Sequence, residues 1–212
     1  SSGNSKAISE NIIIEANRFE YDKNLNTITA NEKVRIDDKK EDVIIFSQNI
    51  KYKKNDEHII TKGFTESKVK KKYNFYSNNV FVDRKKMEFS SKNPTHILDS
   101  DFNLYELEEF KYFKNSNLLK GKNIKITSNF NIIEESDKFF FENGIFNLEN
   151  KNFDAAKTKI SMKKGLFGNR ENDPRLIGIS SSKKNNITQI NKGVFTSCKK
   201  NDKCPPWSIQ AK

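Results

Sequence analysis

The sequence contains few of the residues from which catalytic or metal sites are built. Among 212 residues there are two histidines, two cysteines and eight glycines. His58 and His96 each stand alone beside turn-forming residues, without cysteines or carboxylates at the spacing of metal ligands. Neither a glycine-rich phosphate loop nor a Gly-x-Ser-x-Gly motif is present. We therefore expect no enzyme, no metal, no cofactor and no catalytic residue.

Long apolar runs are also missing. No stretch reaches the roughly 18 apolar residues that a membrane-spanning helix needs. No signal peptide is recognisable, and the polar residues 1–5 resemble a trimmed or tagged start, so the sequence does not decide on export. Cys198 and Cys204 are separated by five residues, which does not fit the short spacing of zinc or redox motifs. They are interpreted either as disulfide partners, of each other or of a segment outside this sequence, or as two unreactive thiols.

What the sequence does contain is a repeat of about 30 residues. The clearest copy has Val43, Ile45, Ser47, Ile50 and Tyr52. The matching positions in the other copies are Ile12, Ile14, Ala16, Phe19 and Tyr21, then Tyr73, Phe75, Ser77, Val80 and Val82, and more weakly Tyr105, Phe110 and Tyr112.

The spacing inside each copy predicts strands. Apolar residues lie two apart, and they are β-branched or aromatic. Before Phe19, Ile50 and Val80 the phase slips by one, which requires a bulge or bend. The apolar content of 34% is low enough to suggest disorder, but the 17 phenylalanines argue against it. Alternating strands with one solvent-exposed face would explain the low apolar content. We predict one all-β domain with two facing antiparallel sheets.

Turn-forming residues separate the predicted strands. Charged turns are expected at residues 22–24, 37–40, 53–56 and 83–86, and Asn93-Pro94 should break a strand. Asn143-Gly144 is the strongest hairpin-turn signal in the chain.

The net charge of +11 favours an anionic partner. A nucleic-acid-binding β domain would explain both this charge and the aromatic residues. However, such a domain needs exposed aromatic platforms beside basic grooves. Here the aromatic residues fall on the inward phase of the predicted strands, so this alternative is disfavoured.

The repeated unit of aliphatic, Ala or Ser, and Tyr positions resembles the OstA-type repeat of lipopolysaccharide-transport proteins. The tail, with Phe-Gly-Asn-Arg-Glu-Asn-Asp-Pro-Arg at 167–175 and Gly-Val-Phe-Thr-Ser-Cys at 193–198 followed by Cys-Pro-Pro-Trp at 204–207, is similar to that of the LptD family of outer-membrane LPS-assembly proteins. The resemblance covers essentially the whole chain. It departs from the family in lacking an N-terminal cysteine and in having Cys204, where many relatives have none.

This resemblance implies an open, V-shaped periplasmic β-jellyroll over residues 1–197. Residues 198–212 would be the last strand or a connector leading to an outer-membrane β-barrel. The domain would receive lipopolysaccharide from a periplasmic bridge protein of the same fold and pass it to its own barrel and plug lipoprotein. It would lie at the periplasmic face of the outer membrane of a Gram-negative bacterium. A soluble bridge protein of the same repeat family is the alternative.

The site residues follow from the repeat and the resemblance together. The predicted lipid-groove residues are Ile12, Ile14, Phe19, Tyr21, Val43, Ile45, Ile50, Tyr52, Phe75, Val80 and Phe110. The edge strand that would pair with the bridge protein is predicted at Ile12, Ile13 and Ile14. We also expect a Cys198–Cys204 disulfide in an oxidising periplasm, although the family pattern points to a bond with the barrel.

Overall fold

The computed structural model describes residues 2–9, 11–199 and 207–211. Within these residues the predicted all-β class is confirmed, with one short 3₁₀ helix at Ile133–Glu135 and no helix that could cross a membrane. The strands are β1 (Ser2–Ser9), β2 (Ile12–Asp22), β3 (Thr27–Asp38), β4 (Val43–Lys53), β5 (His58–Val69), β6 (Tyr73–Asn78), β7 (Phe81–Asp83), β8 (Glu88–Ser91), β9 (Thr95–Asp99), β10 (Leu104–Leu107), β11 (Glu109–Phe113), β12 (Leu118–Thr127), β13 (Lys138–Asn147), β14 (Phe153–Ser161), β15 (Arg175–Lys184), β16 (Ile187–Asn191), β17 (Val194–Thr196) and β18 (Ile209–Gln210).

The chain forms two compact units. Unit 1 contains Ser1–Ser100 and Glu109–Ser116, and unit 2 contains Asp101–Glu108 and Asn117–Lys212. No change in composition marks this division. Within the segment predicted as the last strand or connector, β18 pairs with β17 in unit 2.

Most strands in unit 1 pair antiparallel with their neighbours in the sequence, and the longer ones are kinked. The pairing register shifts between Glu15 and Arg18 of β2 and between Ser47 and Asn49 of β4, where the sequence predicted a slip of phase. The kink continues at Gly63, whose φ of 81° suits glycine, and at Asn79, which separates β6 from β7. The predicted strand–kink–strand unit is confirmed.

The kinks divide unit 1 into two half-sheets. Half-sheet A contains β1, the first half of β2 and β4, the second half of β3 and β5, and then β6 and β9. Half-sheet B contains the remaining halves of β2 to β5 with β7, β8 and β11. The predicted turns join successive strands at residues 23–26, 39–42, 54–57 and 84–87. Asn93-Pro94 separates β8 from β9, as predicted.

Apolar residues from successive repeats lie side by side in rows across the strands. One row crosses half-sheet A through Ile14, Ile36, Ile45, Ser67, Phe75 and Ile97. Another crosses half-sheet B through Tyr21, Ile28, Tyr52, Ile59, Val82, Phe89 and Tyr112. Residues that occupy the same position in successive 30-residue repeats therefore lie in the same row of the folded sheet.

Aromatic rings join the two half-sheets of unit 1. The Phe75 ring of β6 lies 5.0 Å from that of Tyr112 and 5.6 Å from that of Phe110, both on β11. Tyr112 is completely buried, and Phe75 is 2% exposed. The interior of unit 1 is therefore filled by its own side chains at this end.

Ion pairs connect the turns of the two half-sheets. Arg84, in the β7–β8 turn, donates from Nε and Nη2 to Asp38 Oδ2 at 2.9 and 2.8 Å, and from Nη1 to Glu57 at 2.8 Å. Lys114 donates to Glu41 at 2.8 Å. Burial alone would lower the pKa of Arg84, but Asp38 more than compensates and the pKa is raised. Both cations are fixed at the ends of the half-sheets.

Unit 2 repeats this design with its own two half-sheets. Half-sheet C contains β10, the second half of β12, the first half of β13, the second half of β14, the first half of β15, then β17 and β18. Half-sheet D contains the other halves with β16. Asn143-Gly144 lies inside β13, at its kink, so the predicted hairpin turn is wrong. An Asn-Gly pair that tolerates sharp backbone bending serves a kink as well as a turn.

The predicted edge strand is also wrong. Ile12, Ile13 and Ile14 pair with Ser9, Ile8 and Ala7 of β1 on one side and with β3 on the other. The polar residues 2–9 form this additional strand. Among the described residues β1 pairs only with β2, so the N-terminal edge of half-sheet A is β1.

Candidate functional site

The predicted groove residues line the interior of unit 1. Nine of them are no more than 4% exposed: Ile12, Ile14, Val43, Ile45, Ile50, Tyr52, Phe75, Val80 and Phe110. Phe19 is half-buried. These residues share the inward face as predicted, and they form a closed core along most of the unit.

Tyr21 does not join this core. Its side chain is 54% exposed, and its hydroxyl donates to Asn26 Oδ1 at 2.9 Å. Among the residues that the structure describes, only β3 pairs with β2 beside Tyr21, which leaves one side of the ring uncovered by a paired strand. The interior of unit 1 is consequently most accessible at its β2 end.

A cleft of about 750 Å³ lies beside the kinks of unit 1, but most of its lining residues are polar or charged. Glu15 accepts from Lys6 at 2.9 Å and from Arg35 at 3.2 Å. The hydrogen bond from Lys6, followed by that from Arg35, lowers the pKa of Glu15. Since these charges are already paired and exposed, volume alone does not make this cleft a ligand site.

An apolar cleft of about 560 Å³ lies inside unit 2. Half-sheet C contributes a register row of Tyr105, Ile126, Phe139, Ile160 and Leu176. Half-sheet D contributes Phe146, Phe153, Lys183, Thr188 and Ile190. The volume falls within the range of small-molecule sites.

The walls of this apolar cleft are only partly covered. Ile126, Phe139, Phe153, Leu176 and Ile190 are all half-buried, although they occupy the same inward phase as the buried residues of unit 1. A half-exposed row of large apolar side chains facing a cavity can gain further burial from a ligand. This distinguishes a binding wall from a closed core.

The floor of the apolar cleft is aromatic. The rings of Phe141, Phe146 and Phe153 lie 5.2–5.4 Å apart. Phe141 is completely buried and Phe146 is 4% exposed, so the floor is a fixed part of the core. The cleft therefore opens from a rigid base.

Two glycines next to the kinks of unit 2 lie directly against large side chains. Gly144 pairs with Ala155, and a Cβ added at Gly144 would lie 2.6 Å from Phe146 Cε2. A Cβ added at Gly178 would overlap Ile190 Cγ2. The space beside each glycine is therefore occupied by a large side chain, Phe146 at Gly144 and Ile190 at Gly178.

The cysteine prediction is not tested. Cys204 lies outside the described residues, and Cys198 forms no disulfide with any residue that the structure describes. Cys198 is buried, with Sγ 3.7 Å from the Trp207 carbonyl oxygen. The Cys198–Cys204 bond stays a prediction.

The titratable residues that were considered for chemistry show structural contacts. His58 Nε2 lies 3.9 Å from Asp83, and its ring stacks edge-on against Phe81 at 4.9 Å. Over residues 2–9, 11–199 and 207–211, no three His, Cys, Asp or Glu side chains are grouped as a metal site. The site of interest is therefore the apolar cleft.

The sequence analysis did not include the residues of the apolar cleft in the predicted site, although the strand period is visible in them. Phe139 with Phe141 and Ile124 with Ile126 show the strand period of two. Their alignment with the stronger N-terminal repeats is weak, because glycine and alanine occupy positions that are aliphatic there. The predicted groove was consequently placed in the better-conforming repeats of unit 1.

Comparisons with known proteins give similarities to solved structures only. No family model matches the chain, and no curated protein sequence matches it. The chain is similar to the crystal structure of LptH, the LptA homologous periplasmic component of the conserved lipopolysaccharide transport device from Pseudomonas aeruginosa. The TM-score is 0.30, with 15% sequence identity, covering 68% of this chain and 81% of that chain. A likeness at this TM-score assigns no function.

Proposed function

We propose that this chain is a lipid conduit that holds acyl chains in the apolar cleft of unit 2 and releases them chemically unchanged. The observation that carries the proposal is that Phe139, Leu176 and Ile190 are partly exposed and face that cleft from its two walls. Burying one methylene is worth about 0.8 kcal/mol, so an acyl chain of about 12 carbons gains roughly 10 kcal/mol over water. Transfer from one such cleft to the next is nearly neutral, which requires no catalytic residue.

Lipopolysaccharide in the periplasm is the proposed cargo and location. The OstA-type repeats and the tail motif support this choice, because they resemble proteins that move this lipid. The tail motif favours the periplasmic domain of an LPS-assembly protein, which would pass the lipid to a barrel with its plug lipoprotein. The soluble bridge protein is the second candidate, and the repeats fit it equally well.

The bridge partner would bind by strand addition at β1. Ser2–Ser9 forms the N-terminal edge of half-sheet A, and main-chain hydrogen bonds along it could extend the sheet. This replaces the incorrect assignment of the edge to Ile12, Ile13 and Ile14.

The buried groove residues of unit 1 stay predictions as lipid contacts. Access there would begin at the β2 end, where Phe19 is half-buried and Tyr21 is exposed. Further entry along the row toward Ile50 would require side chains that now fill the interior to move apart. We therefore propose unit 2 as the principal binding site.

Photo-crosslinking in cells tests the proposal. A crosslinking amino acid at Phe139 or Leu176 should capture lipopolysaccharide, whereas one at the neighbouring outward positions Lys159 and Ile177 should not. Ile177 is the sharper control, because it is apolar and 51% exposed. Equal capture at both phases, or capture at neither, would rule out the conduit.

A further inference from the structure

A second cleft, of about 720 Å³, lies at one end of half-sheet C and is rich in cations. It is formed by the 3₁₀ helix, the start of β13, the end of β14 and the loop that leads into β15. Its charged lining residues are Lys138, Lys163, Lys164, Arg170 and Arg175, together with Glu134, Glu135 and Asp173. The five cations exceed the three carboxylates by two charges. We call it the cationic cleft.

Several cations of the cationic cleft are available to a ligand. Lys164 is paired with Asp173 at 3.5 Å, and Arg175 donates to the Cys198 carbonyl oxygen at 2.6 Å. Lys138, Lys163 and Arg170 form no ion pair with any residue that the structure describes. These three cations line the same cleft, so an anion bound there would be attracted by all of them.

Local backbone contacts position two of these three cations. The Lys163 amide donates to Asp137 Oδ1 at 2.8 Å, which fixes the chain where it leaves β14. Arg170 packs over Gly165, whose φ is 79°, and a Cβ there would lie 3.3 Å from Arg170 Cγ. The loop therefore holds the arginine stem against the cleft.

The cationic cleft borders the apolar cleft. Met162 lines both of them. Along the strand ends the lining alternates residue by residue: Phe139, Ile160 and Leu176 face the apolar cleft, and their chain neighbours Lys138, Ser161 and Arg175 line the cationic one. Met162 lies where the two clefts meet, so a ligand whose chain leaves the apolar cleft past Met162 has its polar end beside the cationic cleft.

We infer that the cationic cleft binds a phosphate group on the head of the amphiphile whose chain occupies the apolar cleft. This inference rests on the proposed lipid-binding function and specifies the ligand class. A doubly charged phosphate matches the excess of two cations, and the guanidinium of Arg170 offers the planar donor pair that phosphate oxygens accept. Free phosphate shares this chemistry, but only an amphiphile uses both clefts.

Isothermal titration calorimetry on the whole chain distinguishes an amphiphile from free phosphate. The three probes are dodecyl phosphate, neutral dodecyl maltoside and inorganic phosphate, and both detergents are used below their critical micelle concentrations. Dodecyl phosphate should bind at least about tenfold more tightly than dodecyl maltoside, and added salt should reduce only this advantage. The double variant Lys163→Gln/Arg170→Gln should abolish the advantage and leave maltoside binding unchanged. The charge-matched control Lys120→Gln/Lys184→Gln, at exposed positions of half-sheet D, should keep it.

Each alternative result has a distinct meaning. Equal binding of the two dodecyl probes would overturn the phosphate site and leave the conduit standing. Binding of neither would overturn both proposals. Inorganic phosphate binding as tightly as dodecyl phosphate would assign the cleft to free phosphate and overturn the head-group inference. If the double variant has a lowered melting temperature, the single variant Lys138→Gln replaces it. This variant should show a smaller loss of the preference for dodecyl phosphate over dodecyl maltoside.

Discussion

The two units have the same strand–kink–strand design but different interiors. In unit 1 the inward rows are almost entirely buried, and the rings of Phe75 and Tyr112 meet across the half-sheets. In unit 2 the corresponding inward residues Phe139 and Leu176 are half-exposed and face a cleft. A shared backbone pattern therefore does not decide whether the space between half-sheets is a core or a binding site.

The two units differ in how far their inward side chains fill the space between the half-sheets. Unit 1 has Ile50 and Val80 immediately beyond its kinks, and both are buried. Unit 2 has Gly144, Ala155 and Gly178 at the inward positions around its kinks. A core closes only where the side chains on facing walls fill the space between them, and the inward side chains of unit 2 leave the apolar cleft unfilled.

The largest effect expected from this comparison is on stability. Tyr112→Ala should lower the free energy of unfolding by about 3–5 kcal/mol, because it removes a completely buried ring. Phe139→Ala removes a half-buried ring and should cost only roughly 1–2 kcal/mol while weakening lipid binding. Denaturant unfolding, monitored by amide hydrogen exchange in β11 for unit 1 and in β13 for unit 2, measures the stability of each unit separately. Equal losses would mean that unit 2 also has a closed core.

An intermediate effect is expected from filling the apolar cleft. Gly178→Ala should push Ile190 toward the cavity, since the new Cβ would overlap its Cγ2. We expect a loss of about 1–2 kcal/mol together with weaker dodecyl phosphate binding. Gly63→Asn, at an open positive-φ position in unit 1, is the matched control and should leave binding unchanged. Unaltered binding by Gly178→Ala would show that the cleft does not accommodate the chain.

The smallest effect concerns pH and sharpens the account of unit 1. The pKa of Glu41 is lowered, first by the hydrogen bond from Lys114, although burial acts to raise it. The folded carboxylate thus binds a proton more weakly than the unfolded one. Its contribution to stability is fully present above the unfolded-state pKa and is lost as pH falls through the folded-state pKa.

Melting temperatures measured at decreasing pH test this contribution. Glu41→Gln should lower the melting temperature of unit 1 at neutral pH and flatten its decline in acid. Glu20→Gln, at an exposed position in the same unit, should do neither. An identical acid decline in both variants would show that the Glu41–Lys114 pair does not stabilise unit 1.

The regular features of the fold could be predicted from the sequence because they are local. The slip of phase before Ile50 predicts the kink, and charged turn residues predict the hairpins. The Arg84–Asp38 pair could not be predicted, because 46 residues separate its partners and only the folded rows bring their turns together. Asn143-Gly144 was misinterpreted since the same dipeptide suits a hairpin and a kink.

The candidate site was less predictable than the fold. Periodicity correctly identified the inward face of Ile14, Ile45 and Phe75, but it does not measure how far the facing wall lies away. The strongest repeats were therefore taken as the groove, although their regularity is what allows them to pack closed. The weaker repeats of unit 2 line the open cleft.

The interleaved course of the chain has a consequence for its synthesis. Residues 101–108 belong to unit 2, yet the chain returns to unit 1 with residues 109–116 before it completes unit 2. A nascent chain that has emerged only to Ser100 lacks Phe110 and Tyr112, so Phe75 has no ring to pack against. Unit 1 can finish folding only after Ser116 has left the ribosome, and a fragment intended to contain it must extend at least to that residue.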